Sequence, residues 1–105
     1  MRVRRLDHVL LAMPAGCESE ARNFYQGLLG IAEAKKPSEL AARGGCWFED
    51  GEVKVHLGVE KNFVPATKAH PAFIVDDLAG LTSALTAAGF PISHDAPLAR
   101  ISHTT

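Results

Sequence analysis

Three of the five histidines stand where their imidazoles could share one ion: His8 and His56 within apolar runs, and His70 at the head of a third. Neutral imidazole nitrogens suit Zn, Ni, Co or Fe(II), and a site short of its full ligand count leaves positions for water or substrate. Singly, a histidine on a strand is more often a hydrogen-bonded structural residue than a ligand. The case for chemistry therefore rests on the three together. Side chains alternate across a strand, so His8 shares a face with Leu10 and Ala12, His56 with Lys54 and Gly58, and His70 with Ala72 and Ile74. Each imidazole is thus expected on one selected face. His94 and His103 fall outside this pattern and are assigned no role.

The elements that must carry these side chains are readable from periodicity. Asp7 to Met13 has the length and apolar content of a buried strand, and Pro14-Ala15-Gly16 ends it. From Glu18 to Leu29 the apolar residues Ala21, Phe24, Tyr25, Leu28 and Leu29 recur at helical spacing. Glu18 and Glu20 occupy the first turn, where the helix dipole favours anions, and Gly30 supplies a stop. Lys35, Lys36 and Pro37 read as a mobile stretch. Gly45 to Phe48 and Val53 to Val59 flank Asp50-Gly51, a turn signal that predicts an antiparallel hairpin. Lys61 to Ala69, with Pro65, reads as a connector. Beyond it, His70 to Val75 is expected to form a short strand, followed by a helix capped by Asp76 or Asp77. That helix presents Leu78, Leu81, Leu85 and Ala88 on one side and stops at Gly89, and Pro91 to His94 is expected to be a last short strand. Leu98 to Thr105 has no strong pattern.

The two halves repeat: a strand opening on His8 or His70, an amphipathic helix, a glycine stop, then extended chain. The repeat brings His8 and His70 towards a common axis if the units pack as pseudo-equivalents. In the second copy the counterpart of His56 would fall beyond Thr105. The organisation expected is one domain over 1–105, with a first module at 1–60, a connector at 61–69 and a shortened second module at 70–105.

Composition limits the function. With 47% hydrophobic and 22% charged residues and a formal net charge of -1, the chain has no basic excess to hold a nucleic acid, and no nucleic-acid partner is expected. Leu6 to Met13 is interrupted by Asp7 and His8 and is too short to span a bilayer, so no membrane partner is expected either. Cys17 and Cys46 lack a C-x-x-C spacing and read as reduced thiols, which points to the cytoplasm. Glu49, Glu52 and Glu60 read as a solvated face. Trp47, Phe48 and Phe63 could offer stacking surfaces to a ligand, although core packing is the ordinary role of such residues.

The chain resembles the glyoxalase, bleomycin-resistance and extradiol-dioxygenase superfamily, the vicinal oxygen chelate proteins, along nearly its whole length. The resemblance is carried by Leu6-Asp7-His8-Val9, by Phe24-Tyr25 with Leu28-Leu29-Gly30, by Val55-His56-Leu57, and by His70-Pro71-Ala72-Phe73. It implies an α+β fold of paired βαβββ modules around a divalent metal (Zn, Ni, Fe or Mn), here with the second module incomplete. By resemblance His8 matches the first-strand metal ligand, His56 the ligand on the fourth strand, and His70 the ligand opening the second module. Members usually end on an Asp-Pro-x-Gly-Asn turn and a strand bearing a glutamate ligand. Ala96 to Thr105 contains neither, so the chain resembles a C-terminally shortened member without the fourth ligand. The resemblance implies a small-molecule substrate or ligand, lyase or dioxygenase chemistry, and a homodimer in which modules pair across two chains. Two alternatives stand beside it: a metal-free drug- or metabolite-binding protein of the bleomycin-resistance type, and a ferredoxin-like βαββαβ interaction domain.

Overall fold

The computed structural model describes residues 1–94. Its elements are β1 (Val9–Met13), α1 (Glu18–Ala21) continuing without a break into a π-wound stretch over Arg22–Leu28, β2 (Glu33–Ala34), α2 (Ser38–Ala41), β3 (Cys46–Asp50), β4 (Val53–Val59) and α3 (Leu78–Ala87). The four strands form one sheet in the order β1-β4-β3-β2. The chain divides into two compact units, Met1–Lys68 and the segment from Ala69 onward.

The hairpin sets the first unit. Gly51, at φ +61, lets the chain reverse over Gly51 and Glu52, so Asp50 pairs with Val53, Phe48 with Val55, Trp47 with His56 and Cys46 with Leu57. Alternation then sorts the side chains. Cys46, Phe48, Val55 and Leu57 share one face, each at most 3% exposed, and Met13 and Ile31 join them in the core. The parallel neighbour β1 pairs Val9 with Val55 and Leu11 with Leu57, and parallel strands need a crossover, which α1 supplies.

The acidic first turn of α1 forms where the sequence places it, and Gly30 ends the helix at φ +72. The second half widens: the Leu29 amide donates to the Phe24 carbonyl at 3.0 Å, five residues back rather than four. Tyr25 lies over Phe48 with ring centroids 5.3 Å apart, which caps the core from the helix side. Arg22 pairs with Glu33 at 2.8 Å, and the Glu33 amide donates to Gln26 Oε1 at 2.7 Å, so β2 is tied to the helix as well as to β3.

The ordering β-α-β-β-β, with β1 parallel to β4, is the βαβββ module and not the ferredoxin-like alternative. The difference lies in β2, which falls between the glycine stop and the stretch at Lys35 to Pro37, where the sequence predicts only extended chain. A two-residue strand followed by the four-residue α2 is too short to show periodicity.

In the second unit α3 starts at Asp77, whose side chain accepts from the Gly80 amide at 2.9 Å. It ends before Gly89 at φ +90, as the sequence predicts. The strands expected at 70–75 and 91–94 are not formed: neither stretch enters a ladder. A strand needs a neighbour for its amides and carbonyls, and no described residue of this unit supplies one. His103 and the patternless stretch from Leu98 lie outside the described residues. Among the described residues no helix is long and apolar enough to cross a membrane.

Gly45 is the tightest backbone contact. It sits at φ +84, and a Cβ there would meet the Leu57 carbonyl oxygen at 2.1 Å. Gly16, at φ +78, has nothing within 4 Å of the same position. Gly45→Ala is expected to lower unfolding free energy by about 2 kcal/mol or more, and Gly16→Ala by only the conformational part, about 1 kcal/mol. Urea denaturation of both variants checks this, and equal midpoints would refute the close approach.

Candidate functional site

The face of the sheet opposite the core is polar and aromatic. His56, in the middle of β4, projects from it and is only 6% exposed. Trp47, directly across the ladder on β3, stacks on one side of the imidazole at 3.9 Å and 3° between planes. His8, just before β1, stacks at 4.3 Å and 20°. His56 is therefore sandwiched between a ring on β3 and one just ahead of β1.

Each histidine has a carboxylate partner. Glu49 Oε2 lies 2.7 Å from His56 Nε2, and Asp7 Oδ2 lies 2.9 Å from His8 Nδ1. Glu49 reaches His56 from the position diagonal to it, because Glu49 pairs with Lys54. The bond with His8, and after it the charge of Lys54, holds the Asp7 carboxyl below its usual range. Among the described residues no buried side-chain nitrogen or oxygen lacks a partner.

The stack forms the floor of a concavity of about 290 Å3. Lys36, Leu40 and Arg43, from the segment that carries α2, line its other side. That segment is pinned at its end. The Gly45 amide donates to Glu18 Oε2 at 2.9 Å, and Lys36 Nζ donates to the Gly44 carbonyl. The Gly45 bond is the main cause of a Glu18 carboxyl held below its ordinary value.

Two of the three candidate ligands, His8 and His56, are thus brought side by side on one face, as alternation predicts. His70 stands in the second unit, as its second residue. Among the described residues no three His, Cys, Asp or Glu side chains form a cluster able to hold an ion. The carboxylates engage one nitrogen of each ring, Nδ1 of His8 and Nε2 of His56.

Sequence reasoning passed over Glu49, read as part of a solvated face, and favoured core packing for Trp47. Phe48 is core, at 0% exposure, but Trp47 belongs to the site. The register decides it: with Gly51-Glu52 as the two turn residues, one position beyond the Asp50-Gly51 signal, pairing outward from Asp50 and Val53 sets Trp47 opposite His56 and Glu49 beside it.

The chain is similar to solved structures. A protein from Bacillus anthracis, provisionally described as a glyoxalase family protein, is 47% identical, with a TM-score of 0.78 over 85% of this chain and 73% of that one. The chain belongs to the glyoxalase family. FosX, a genomically encoded fosfomycin resistance protein from Listeria monocytogenes, is 16% identical, with a TM-score of 0.68 over 96% of this chain and 76% of that one, and shares the fold. No family model and no curated protein matches the chain. The glyoxalase-family assignment agrees with the resemblance drawn from Leu6-Asp7-His8-Val9 and Val55-His56-Leu57, and with the βαβββ order of the first unit.

The clamp on Gly45 makes stability depend on pH in a defined direction. A carboxyl whose pKa is depressed on folding stabilises above its unfolded value, 4.5 for Glu18, and the contribution is lost as pH falls through the lower folded value. Glu18→Gln is expected to lower the melting temperature at pH 7 and to flatten its acid-side fall below about pH 4.5. Thermal unfolding from pH 3 to 7 tests this, and parallel curves for the two proteins would count against the clamp.

Proposed function

We propose that this glyoxalase-family chain holds a divalent metal through His8, His56 and His70 and uses it on a small-molecule substrate, with lyase or dioxygenase chemistry. The observation that supports the reading is the pairing of His8 and His56 on one sheet face, each with a carboxylate on its other nitrogen. Imidazoles with such partners suit Zn, Ni, Fe or Mn. When bound, the metal supplies Lewis-acid stabilisation of charge on substrate oxygens. The chain's own part is positioning. Trp47 and His8 fix the plane of the His56 ring, Glu49 fixes its rotation and tautomer, and the low exposure of His56 excludes bulk water from that ring. The free thiols Cys17 and Cys46 support a cytoplasmic setting.

The exposed sheet face supports a second element of the proposal, a homodimer. Leu10, on the same face as His8 and His56, is 67% exposed, and large apolar side chains on such a face favour cover by another chain. Sedimentation over a dilution series is expected to show a dimer at tens of micromolar. A folded monomer throughout would remove this part of the proposal.

Metal analysis tests the rest. Purified protein incubated with Zn, Ni, Fe or Mn and desalted is expected to retain close to stoichiometric metal. His56→Ala should lose it, and Glu49→Gln should weaken affinity by about tenfold, the size of an outer-partner effect. Retention of none of the four metals would sink the reading, and saturable small-molecule binding without metal would instead favour the bleomycin-resistance-type alternative.

A further inference from the structure

The concavity over the stacked rings has a charge asymmetry that the metal reading leaves unused. Of its lining residues, Lys36 and Arg43 are cationic and none is a carboxylate. Glu49 and Asp7, the acids beside the stacked rings, are each committed to a histidine. Glu18 offsets Lys36 in part, and one Lys36 proton is given to the Gly44 carbonyl. The Arg43 guanidinium has no such claim on it: among the described residues it makes no hydrogen bond or ion pair. Its backbone is nevertheless held, since the Arg43 amide donates to the Leu40 carbonyl at 3.1 Å and the following Gly44 amide to Ala41 at 3.3 Å. An uncommitted guanidinium on a held backbone, with a half-engaged ammonium in the same lining, can donate to an oxyanion, and guanidinium binds carboxylate and phosphate oxygens bidentately.

We propose that the small-molecule ligand of this site is an oxyanion of the carboxylate or phosphate type, gripped at its charged end by Arg43 with Lys36 and directed towards the rings of Trp47, His56 and His8. This rests on the reading of the stacked face as the functional site and adds the class of ligand. The volume, about 290 Å3, suits a molecule of metabolite size and is small for an oligomer. Leu40 and Leu10, which also line the space, leave room for a short apolar body behind the anionic head.

The chain contains a single tryptophan, so the intrinsic fluorescence of Trp47 reports directly on the site. Benzoate and inorganic phosphate are titrated separately into the full chain at low ionic strength, with benzamide as the neutral isostere of benzoate. A saturable change is expected with at least one anion and not with benzamide, and whichever anion binds tighter identifies the head group. Arg43→Met is expected to weaken that binding by about tenfold or more, with Arg43→Lys restoring part of it. Arg43 is exposed, and an unchanged circular dichroism spectrum and melting temperature confirm that the variants fold. Absence of a saturable response to either anion, or equal affinity in Arg43→Met, overturns the inference. Running each titration with chelator and with added Zn separates the two proposals. Arg43-dependent anion binding in chelator, without metal retention, leaves this inference standing while the metal reading falls. Stoichiometric metal with no Arg43 dependence does the reverse.

Discussion

The two-residue reversal at Gly51 and Glu52 is the constraint on which the rest of the first unit depends. Because side chains alternate along a strand with a period of two, the turn decides both the partner of every residue in β3 and β4 and the face on which it lies. With Asp50 opposite Val53, Phe48 meets Val55 in the core and Trp47 meets His56 on the other face. A slip of one residue would exchange the two sets. With β4 held in place it would set Trp47 and Glu49 among apolar neighbours and turn Cys46 and Phe48 to the outer face, an unfavourable exchange amounting to several kcal/mol for the aromatic side chains alone.

The other elements follow from this division. Once β4 is central, its free edge takes β1 in parallel, and parallel pairing requires a crossover that covers the apolar face. Helix α1 does this, with Tyr25 stacked on Phe48 and Ile31 closing the end. Widening of the helix over Arg22–Leu28 changes the angular spacing of its side chains, so Phe24 and Tyr25 meet edge to face at 5.0 Å while Tyr25 keeps its place over the core. The same helix serves the opposite side of the sheet indirectly. Glu18 in its first turn holds Gly45, and with it the segment bearing Lys36 and Arg43. Core packing and the lining of the concavity are thus coupled through one carboxylate and one glycine.

What was legible in the sequence was what rests on local periodicity and capping: the apolar face of α1, the stops at Gly30 and Gly89, a cap at one of Asp76 and Asp77, the hairpin, and the side of the strand on which His8 and His56 lie. Family resemblance, carried on the same short motifs, anticipated the βαβββ order that the hairpin alone left open. The missed features are those fixed by tertiary pairing. Glu33 and Ala34 become a strand only because β3 offers an edge and Gln26 and Arg22 hold Glu33, none of which leaves a pattern in two residues. Residues 70–75 show the converse, a strand-like composition without a ladder. Glu49 escaped notice because a lone acid near a turn ordinarily faces water, and only its diagonal position relative to His56 gives it another role.

His56 is the point at which local rules and global packing disagree. A residue 6% exposed at the centre of a sheet is ordinarily aliphatic. An imidazole there gives up much of its hydration, and the surrounding structure compensates with a carboxylate at 2.7 Å from Nε2 and two stacked rings. Leucine at this position would need none of those partners, so stability alone gives no reason for three side chains from the two flanking segments to be committed to one ring. Departures of this kind, in which a locally unfavourable residue is supported by neighbours that hold its orientation, mark functional sites more often than structural ones. The support is also directional. Stacking restrains the ring plane but leaves rotation within it free, whereas the Glu49 bond selects one nitrogen and so turns the other away from the carboxylate. Core packing would require only that the ring fill space, whereas these restraints fix where its remaining lone pair or proton points, and that direction matters only if something is to be bound there.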